Sequence, residues 1–179
     1  MNPNIKKVLI SEEQIVKRCY ELAAMIDKDY AQNERKVLFV ALLKGSVPFL
    51  SELMKRIEMD IEIDFMDVSS YDGTESIGDI KINKDLNTSI KGIDIVLVED
   101  IVDTGRTLST VKKMLMNKGA NSVKIVTLLD KPSRRIVDIK ADYIGFEVEN
   151  EFVVGFGLDF NQKYRNLPYV GVLKEECYQ

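Results

Sequence analysis

Three short runs of almost purely apolar residues constrain the fold of this chain most strongly. They are KVLFVAL (36–42), IDIVLVED (93–100) and SVKIVTLLD (122–130). Continuous apolar runs of this length, rich in β-branched residues, are typical of strands buried on both faces of a parallel sheet. Helical patterns lie between them, in PFLSELMKRI (48–57) and in TLSTVKKMLMNKG (107–119), and the second ends at a glycine suited to terminate a helix. Strands alternating with helices predict an α/β fold with a central, mostly parallel sheet.

The flanking segments complete this prediction. Residues 11–30 predict an amphipathic helix, because Ser11 and Gln14 have capping-box spacing and apolar residues then recur on one helical face. Residues 61–71 alternate apolar and polar side chains, which predicts a strand near a sheet edge, and residues 72–81 predict a surface loop with two glycines. The C-terminal third predicts three short strands in a smaller β-rich part.

Composition excludes several classes of protein. The 179 residues carry a net charge of −4, which disfavours broad contact with nucleic acid or an anionic membrane. No apolar run reaches the ~20 residues that a membrane span needs. Cys19 and Cys177 lie too far apart in sequence for a CxxC pair, and with no secretory signal we expect a cytoplasmic protein. Because the chain has no histidine, its chemistry must rest on Asp, Glu, Lys, Arg and Tyr.

Acidic residues gather at the end of the second buried run, in VLVEDIVDTGRTLS (96–109). Ligands of open parallel sheets bind beyond the carboxyl ends of the strands. A single carboxylate there would more often cap the following turn. Glu99 and Asp100 are adjacent, however, and repel each other unless a cation or hydroxyl donors relieve the charge. This pair therefore predicts a site for Mg²⁺ or for the diol of a sugar.

The turn from Asp103 to Thr107 suits a phosphate monoester. Backbone amides and the dipole at a helix start favour an anion, as do the hydroxyls of Thr104 and Thr107. Gly105 permits positive φ and close approach of the backbone. The GxxxxGK[ST] loop of nucleoside triphosphatases is absent from the sequence. A diol beside a single phosphate describes a ribose 5-phosphate.

The same segment resembles the signature that binds phosphoribosyl diphosphate (PRPP) in type I phosphoribosyltransferases: an apolar run, two acids, two apolar residues and D-T-G-x-T. Four further segments occur in the family's order and narrow the resemblance to its 6-oxopurine branch, the hypoxanthine-guanine phosphoribosyltransferases. They are LLKGS (42–46), SSYDGTESIGDI (69–80), LLDKPSRR (128–135) and NEFVVGFGLDFNQKYRNLPYVGVL (150–173). The resemblance implies the type I fold in a single domain, 1–179. Its core covers about 36–140, and a small β-rich hood is formed by N-terminal residues and about 141–179.

The resemblance also implies roles for individual residues. Asp103 is implied as general base or acid near purine N7, with Glu99 and Asp100 on the ribose and metal side. The implied 5′-phosphate site comprises Asp103, Thr104, Gly105, Arg106 and Thr107, where the family often has Lys in place of Arg106. The implied pyrophosphate contacts are Lys44, Gly45 and Arg165, and the family often has a non-proline cis peptide before this lysine. Asp159 is implied near the metal, together with Glu99 and Asp100. The implied purine contacts are Lys131, Phe152, Val153 and Asp159. Ser70 and Tyr71 are implied to belong to a closing loop.

Several of these residues have ordinary interpretations without the resemblance. Lys131, which precedes a proline, would more often be a solvated turn residue. Residues 152–154 would form a buried strand, and Arg165 would be a surface charge. LLKGS would be an ordinary turn.

The implied activity is transfer of a phosphoribosyl group from PRPP to hypoxanthine or guanine, giving IMP or GMP and pyrophosphate. Mg²⁺ is the implied cofactor, and the implied assembly is a homodimer or homotetramer. Two alternatives stay open: a non-catalytic regulator that senses PRPP, and a related transferase for xanthine, adenine or orotate. The regulator is disfavoured because only residues 1–35 precede the first buried run and the chain is acidic. The choice among hypoxanthine, guanine and xanthine depends largely on backbone geometry, which the sequence does not reveal.

Overall fold

The structure, a computed structural model, describes residues 2–70 and 80–178, without the side chain of Ser70. The predicted closing-loop residue Tyr71 therefore lies outside the described residues, as does the side chain of Ser70. The strands are β1 (Ile5–Ile10), β2 (Val37–Leu42), β3 (Glu62–Ser70), β4 (Ile80–Lys84), β5 (Asp94–Val102), β6 (Ser122–Asp130), β7 (Tyr143–Glu147), β8 (Val153–Val154) and β9 (Val170–Leu173). The helices are α1 (Glu12–Tyr30), α2 (Val47–Met54) and α3 (Arg106–Asn117), with short 3₁₀ turns at Pro132–Arg134 and Glu175–Cys177.

A six-stranded sheet in the order β4-β3-β2-β5-β6-β7 confirms the predicted α/β fold. Strands β2, β3, β5, β6 and β7 run parallel, and β4 runs antiparallel to β3. Strand β2 is buried along its whole length, as its continuous apolar run predicts. Phe39 packs with Leu22 of α1 and Phe49 of α2 in one core, and Val40 packs with Val111 of α3 in another.

A second, three-stranded antiparallel sheet has the order β1-β9-β8. It provides the small β-rich part that the sequence predicts. Strand β7, however, which the sequence analysis places with the hood, lies at the edge of the larger sheet and pairs with β6. The C-terminal third is thus divided between the two sheets.

Local details confirm some predictions and correct others. Ser11 and Gln14 form the predicted capping box at the start of α1. Helix α2 ends at Met54 rather than at residue 57, and the chain then turns so that the amides of Glu58 and Met59 donate to the carboxylate of Asp27 in α1. Strand β4 begins inside the stretch that the sequence predicts as a loop. The sequence does not predict this strand because its side chains are mostly exposed and its apolar residues are few. Among the helices of the described ranges, none is long and apolar enough to cross a membrane.

Candidate active site

The carboxyl ends of β2, β5 and β6 bring the predicted site residues to one edge of the large sheet. The Leu43–Lys44 peptide after β2 is cis. Beside it, a cleft of about 220 Å³ is lined by Glu99 of β5 and by Asp103, Thr104, Gly105 and Thr107 of the turn that follows. Strand β5 continues to Val102, beyond its predicted end, so that the acidic pair lies inside the strand and Asp103 begins the turn.

The turn between β5 and α3 is built as an anion site. Gly105 is the N-cap of α3 and has φ 82°, in the left-handed region. A Cβ there would come within 2.5 Å of Ile139, so both the backbone and the packing require glycine. The first helical bond runs from Ser109 N to Gly105 O. The amides before Ser109 therefore point out of the helix end beside the Thr104 and Thr107 hydroxyls, where a phosphate can accept from them.

Glu99 and Asp100 form a pair of partly buried carboxylates at adjacent positions of β5. Burial raises the pKa of Glu99 well above its usual range, and the charge of Asp100 raises it further. Burial also raises the pKa of Asp100. A Cβ on Gly45 would lie only 1.7 Å from Asp100 Oδ2, so the Asp100 carboxylate rests against the loop that follows β2. The two predicted subsites, for ribose and for pyrophosphate, are in contact.

Asp103 has a different partner. Arg134 Nε donates to Asp103 Oδ1 at 2.8 Å, and both side chains are roughly half exposed. Lys131, three residues earlier in the chain, is 8% exposed, so its interpretation as a solvated turn residue is wrong. Its Nζ donates to the backbone carbonyl of Glu151 at 2.7 Å, and burial lowers the pKa of its ammonium group.

Arg165 is fixed within the C-terminal loop rather than free on the surface. It donates through Nη1 to Gly157 O at 2.7 Å and pairs through Nη2 with Asp159 Oδ1 at 2.8 Å. Its buried Nε has no acceptor among the residues that the structure describes. A Cβ on Gly157 would lie 1.9 Å from the carbonyl oxygen of Gly45, which places this loop directly on the one after β2.

Phe152 lies at the edge of the small sheet, 38% exposed. Its ring stacks on Tyr178 and meets Phe160 edge-on. Val153 and Val154 are buried in β8, so the plain interpretation as a buried strand fits these two residues but not Phe152.

Comparison with known proteins identifies the family. The phosphoribosyl transferase domain family matches residues 9–161. The chain is 57% identical to the hypoxanthine-guanine phosphoribosyltransferase of Streptococcus mutans, over 99% of this chain and 98% of that protein. It is also 57% identical to that of Lactococcus lactis, over 97% and 94% of the two chains. The chain belongs to the hypoxanthine-guanine phosphoribosyltransferases.

Solved structures of such phosphoribosyltransferases share its fold. A hypoxanthine phosphoribosyltransferase from Staphylococcus aureus has a TM-score of 0.93 at 50% identity, covering 98% of this chain and 95% of that one. A mutant of the Trypanosoma cruzi hypoxanthine phosphoribosyltransferase, complexed with the product IMP, has a TM-score of 0.94 at 34% identity, covering 99% and 96%. The likeness extends over both sheets of this chain.

Two side chains that contact predicted site residues were not predicted from the sequence of this phosphoribosyltransferase, namely Arg134 beside Asp103 and Tyr178 beside Phe152. Arg134 occurs in the quoted segment LLDKPSRR, but its pairing with Asp103 depends on how the turn after β6 approaches the turn after β5. Tyr178 lies outside every quoted segment. Both contacts join residues remote in sequence, so no local pattern reveals them.

Proposed function

We propose that the cleft at the end of β5 is where this chain performs its reaction. The chain is a purine-salvage enzyme that converts hypoxanthine or guanine and PRPP to IMP or GMP, with release of pyrophosphate. The observation that carries the assignment is the order of groups along one segment, with the Glu99–Asp100 pair at one end and the helix-capping turn at Gly105 at the other. The acids suit the ribose hydroxyls, and the turn suits the 5′-phosphate.

The chemistry assigned to this site is a substitution at C1 of PRPP. Purine N9 bonds to C1 as the bond from C1 to pyrophosphate breaks, and a proton at N7 passes to Asp103. In the transition state the ribose carries positive charge, because its bonds to the arriving base and to the departing pyrophosphate are both partial. The protein therefore acts mainly by aligning the reactants and by electrostatic stabilisation. Alignment alone can lower the activation barrier by roughly 7–11 kcal/mol. Arg134 occupies Oδ1 of Asp103 and leaves Oδ2 for the base.

The purine is held by groups from both sheets. Phe152 stacks on it, the Val153 backbone contacts its edge, and Asp159 lies close to that edge. Lys131 donates to O6 of the purine and gives up its bond to the Glu151 carbonyl to do so. Because Lys131 is buried, its ammonium group needs a hydrogen-bond acceptor. The Glu151 carbonyl is that acceptor without a bound base, and O6 of the purine replaces it when the base binds.

Pyrophosphate and Mg²⁺ belong on the other side of the ribose. Lys44, the amide of Gly45 and the unpaired Nε of Arg165 bind pyrophosphate. Within the described ranges, no three Asp, Glu, Cys or His side chains form a metal cluster. Mg²⁺ needs none, because it keeps several waters and binds few carboxylates together with substrate phosphates. Glu99 and Asp100 offer carboxylate oxygens whose mutual repulsion a cation would reduce, and Asp159 is assigned to the same side of the site. The ion would also neutralise charge on the diphosphate.

Assembly and location complete the proposal. We expect a cytoplasmic homodimer or homotetramer. The regulator hypothesis gains no support, since the chain is 57% identical to the S. mutans enzyme over 99% of this chain and 98% of that protein. The transferase hypothesis for xanthine stays open as a question of base preference.

The phosphate turn gives the sharpest test of this placement. Thr104→Val and Thr107→Val each remove a hydroxyl from the anion site while keeping side-chain shape. Since hydrogen bonds to charged groups contribute about 1.5–3 kcal/mol, we expect IMP to bind at least about tenfold more weakly by calorimetry. Ser109→Ala removes a hydroxyl further along α3 and should leave IMP affinity unchanged. Folded threonine variants with wild-type affinity would show that the 5′-phosphate binds elsewhere.

A further inference from the structure

We propose that Tyr178 is a positioning residue of the purine site, whose ring backs Phe152 and holds it flat against the base. The inference rests on the proposed stacking role of Phe152. Tyr178 itself touches no substrate; it acts through the orientation of its neighbour.

Three aromatic rings fix one another at this point. The rings of Phe152 and Tyr178 are stacked, with centroids 4.6 Å apart and planes at 18°. Phe160 meets Phe152 edge-on at 5.5 Å and 88°, and it meets Tyr178 at 6.5 Å and 71°. These are the separations and orientations that aromatic pairs favour. A phenyl ring held on one face and at its rim keeps its other face in a defined plane.

Phe152 and Tyr178 lie on the same side of the small sheet. Val153 and Val172 pack into the core shared with α1 and α2. Ile5, Val154 and Leu173 pack on the opposite side, and Tyr178 belongs to their cluster. Because side chains alternate along a strand, Phe152 lies on the side of Val154, where Tyr178 stacks on one face of its ring.

The substrate side lies across the ring from Tyr178. Lys131 reaches the Glu151 carbonyl, directly before Phe152, from the end of β6 in the large sheet. Because Tyr178 is stacked on one face of the Phe152 ring, a base that stacks on Phe152 takes the face that Tyr178 leaves open. A stack of three flat groups results: Tyr178, Phe152 and the purine.

Backbone bonds place Tyr178 independently of its ring. Lys174 N donates to Asn4 O at 3.0 Å, which ties the segment after β9 to the start of β1. Cys177 N then donates to Lys174 O at 3.0 Å, and Tyr178 N donates to Glu175 O at 3.1 Å. The 3₁₀ turn at Glu175–Cys177 therefore carries the ring to Phe152, and a change of side chain at Tyr178 leaves these bonds in place.

Three substitutions at Tyr178 separate stacking from simple packing. Tyr178→Ala removes the ring, Tyr178→Leu keeps an apolar cover without a flat face, and Tyr178→Phe keeps the flat face without the hydroxyl. From the usual strength of aromatic pairs, we expect Ala and Leu to raise the KM for hypoxanthine and the Kd for IMP about two- to tenfold. The KM for PRPP and kcat should stay within about twofold, and Tyr178→Phe should match the wild type. Three results would each overturn the inference. They are an unchanged KM for hypoxanthine and Kd for IMP in Tyr178→Ala, wild-type values in Tyr178→Leu, and a rise in the KM for PRPP equal to that for hypoxanthine.

Phe152→Ala distinguishes failure of this inference from failure of the proposed site. If Phe152 stacks on the base, its loss should weaken IMP binding, and adding Tyr178→Ala to that variant should have no further effect. Fully additive effects would contradict action through Phe152. Wild-type IMP affinity in Phe152→Ala would remove the stacking role and the inference together, whereas weakened binding in Phe152→Ala but not in Tyr178→Ala would remove the inference alone.

Discussion

Asp103 differs from the two acids that precede it in the same segment. Glu99 and Asp100 both have a raised pKa, mainly because of burial, whereas Asp103, which is also partly exposed, is paired with the guanidinium of Arg134. A carboxylate held at one oxygen and free at the other is suited to exchange a proton with a base placed beside it. The Glu99–Asp100 pair is suited to bind sugar hydroxyls and a cation. One short segment therefore contains two kinds of carboxylate.

Asp103→Asn tests the proton role. The amide keeps the shape of the turn but cannot take the proton from N7, so we expect kcat with hypoxanthine to fall about 100-fold or more. The KM for PRPP should change little, because the phosphate amides and threonines remain. Steady-state kinetics give both values, with Asp138→Asn, an exposed acid on a nearby loop, as control. An unchanged kcat would exclude Asp103 as the proton acceptor.

At the scale of single residues, the sequence was informative where chemistry depends on residue type in a local pattern. Two of the acids, Glu99 and Asp103, line one cleft together with Gly105 and the two threonines of residues 99–107. Arg134 and Tyr178 were missed because their roles come from contacts with residues far away in the chain. Lys131 shows the converse, since its local context suggested exposure and the approach of Glu151 buries it.

Among the elements, the loop after β2 and the end of β5 are tightly packed at Gly45. Gly45→Ala would place a methyl group 1.7 Å from Asp100 Oδ2 and force that carboxylate aside. We expect kcat/KM for PRPP to fall at least tenfold while the protein stays folded. Gly92→Ala is the control: its Cβ would meet open space, and its φ of 75° should cost about 1–2 kcal/mol of stability without affecting kcat/KM. Wild-type kcat/KM in Gly45→Ala would show that Asp100 need not rest on this loop.

The opposite end of β5 is anchored by a buried carboxylate. Asp94 accepts from Asn33 at 3.0 Å, Asn121 at 2.6 Å and Ser122 at 2.5 Å. Burial by itself raises the pKa of Asp94, but the hydrogen bonds from Ser122, Asn121 and Asn33 outweigh it, so the pKa of Asp94 is lowered. Its contribution to stability is therefore fully present above the unfolded pKa near ~3.9 and is lost as pH falls through the folded pKa.

Asp94→Asn turns this into a measurable pH dependence. An amide cannot accept from all three donors, so urea unfolding at pH 7 should show a loss of about 1–3 kcal/mol. The gap between variant and wild type should narrow as pH falls below about 4, since the wild-type carboxylate then takes up a proton. A gap that stays constant from pH 7 to pH 3 would contradict this account.

At the scale of elements, predictability followed burial. The mainly apolar runs of β2, β5 and β6 were identified from sequence because strands covered on both faces contain several consecutive apolar residues. Strand β4 was not predicted, since its alternation of Ile80 and Ile82 with polar residues is short and its side chains are mostly exposed. The position of β7 in the large sheet depends on pairing with β6, which its own five residues do not encode.

The described part of the molecule contains two sheets and three helices. In the proposed site, the end of β5 and the turn after it bind the ribose and the 5′-phosphate, and the segments of the small sheet provide Phe152, Asp159 and Arg165. Close contact between Gly157 and Gly45 joins the two parts. The fold class followed from the alternation of strands and helices, whereas the proposed purine and pyrophosphate contacts were predictable only through resemblance to a family.

Release of pyrophosphate from PRPP tests the assigned activity. PRPP and Mg²⁺ are incubated with hypoxanthine, guanine, xanthine or adenine in turn, and pyrophosphate release is followed with and without a chelator. We predict Mg²⁺-dependent release with hypoxanthine or guanine, and the rate with xanthine defines how far the preference extends. Release with none of the four bases, or with adenine alone, would contradict the assignment.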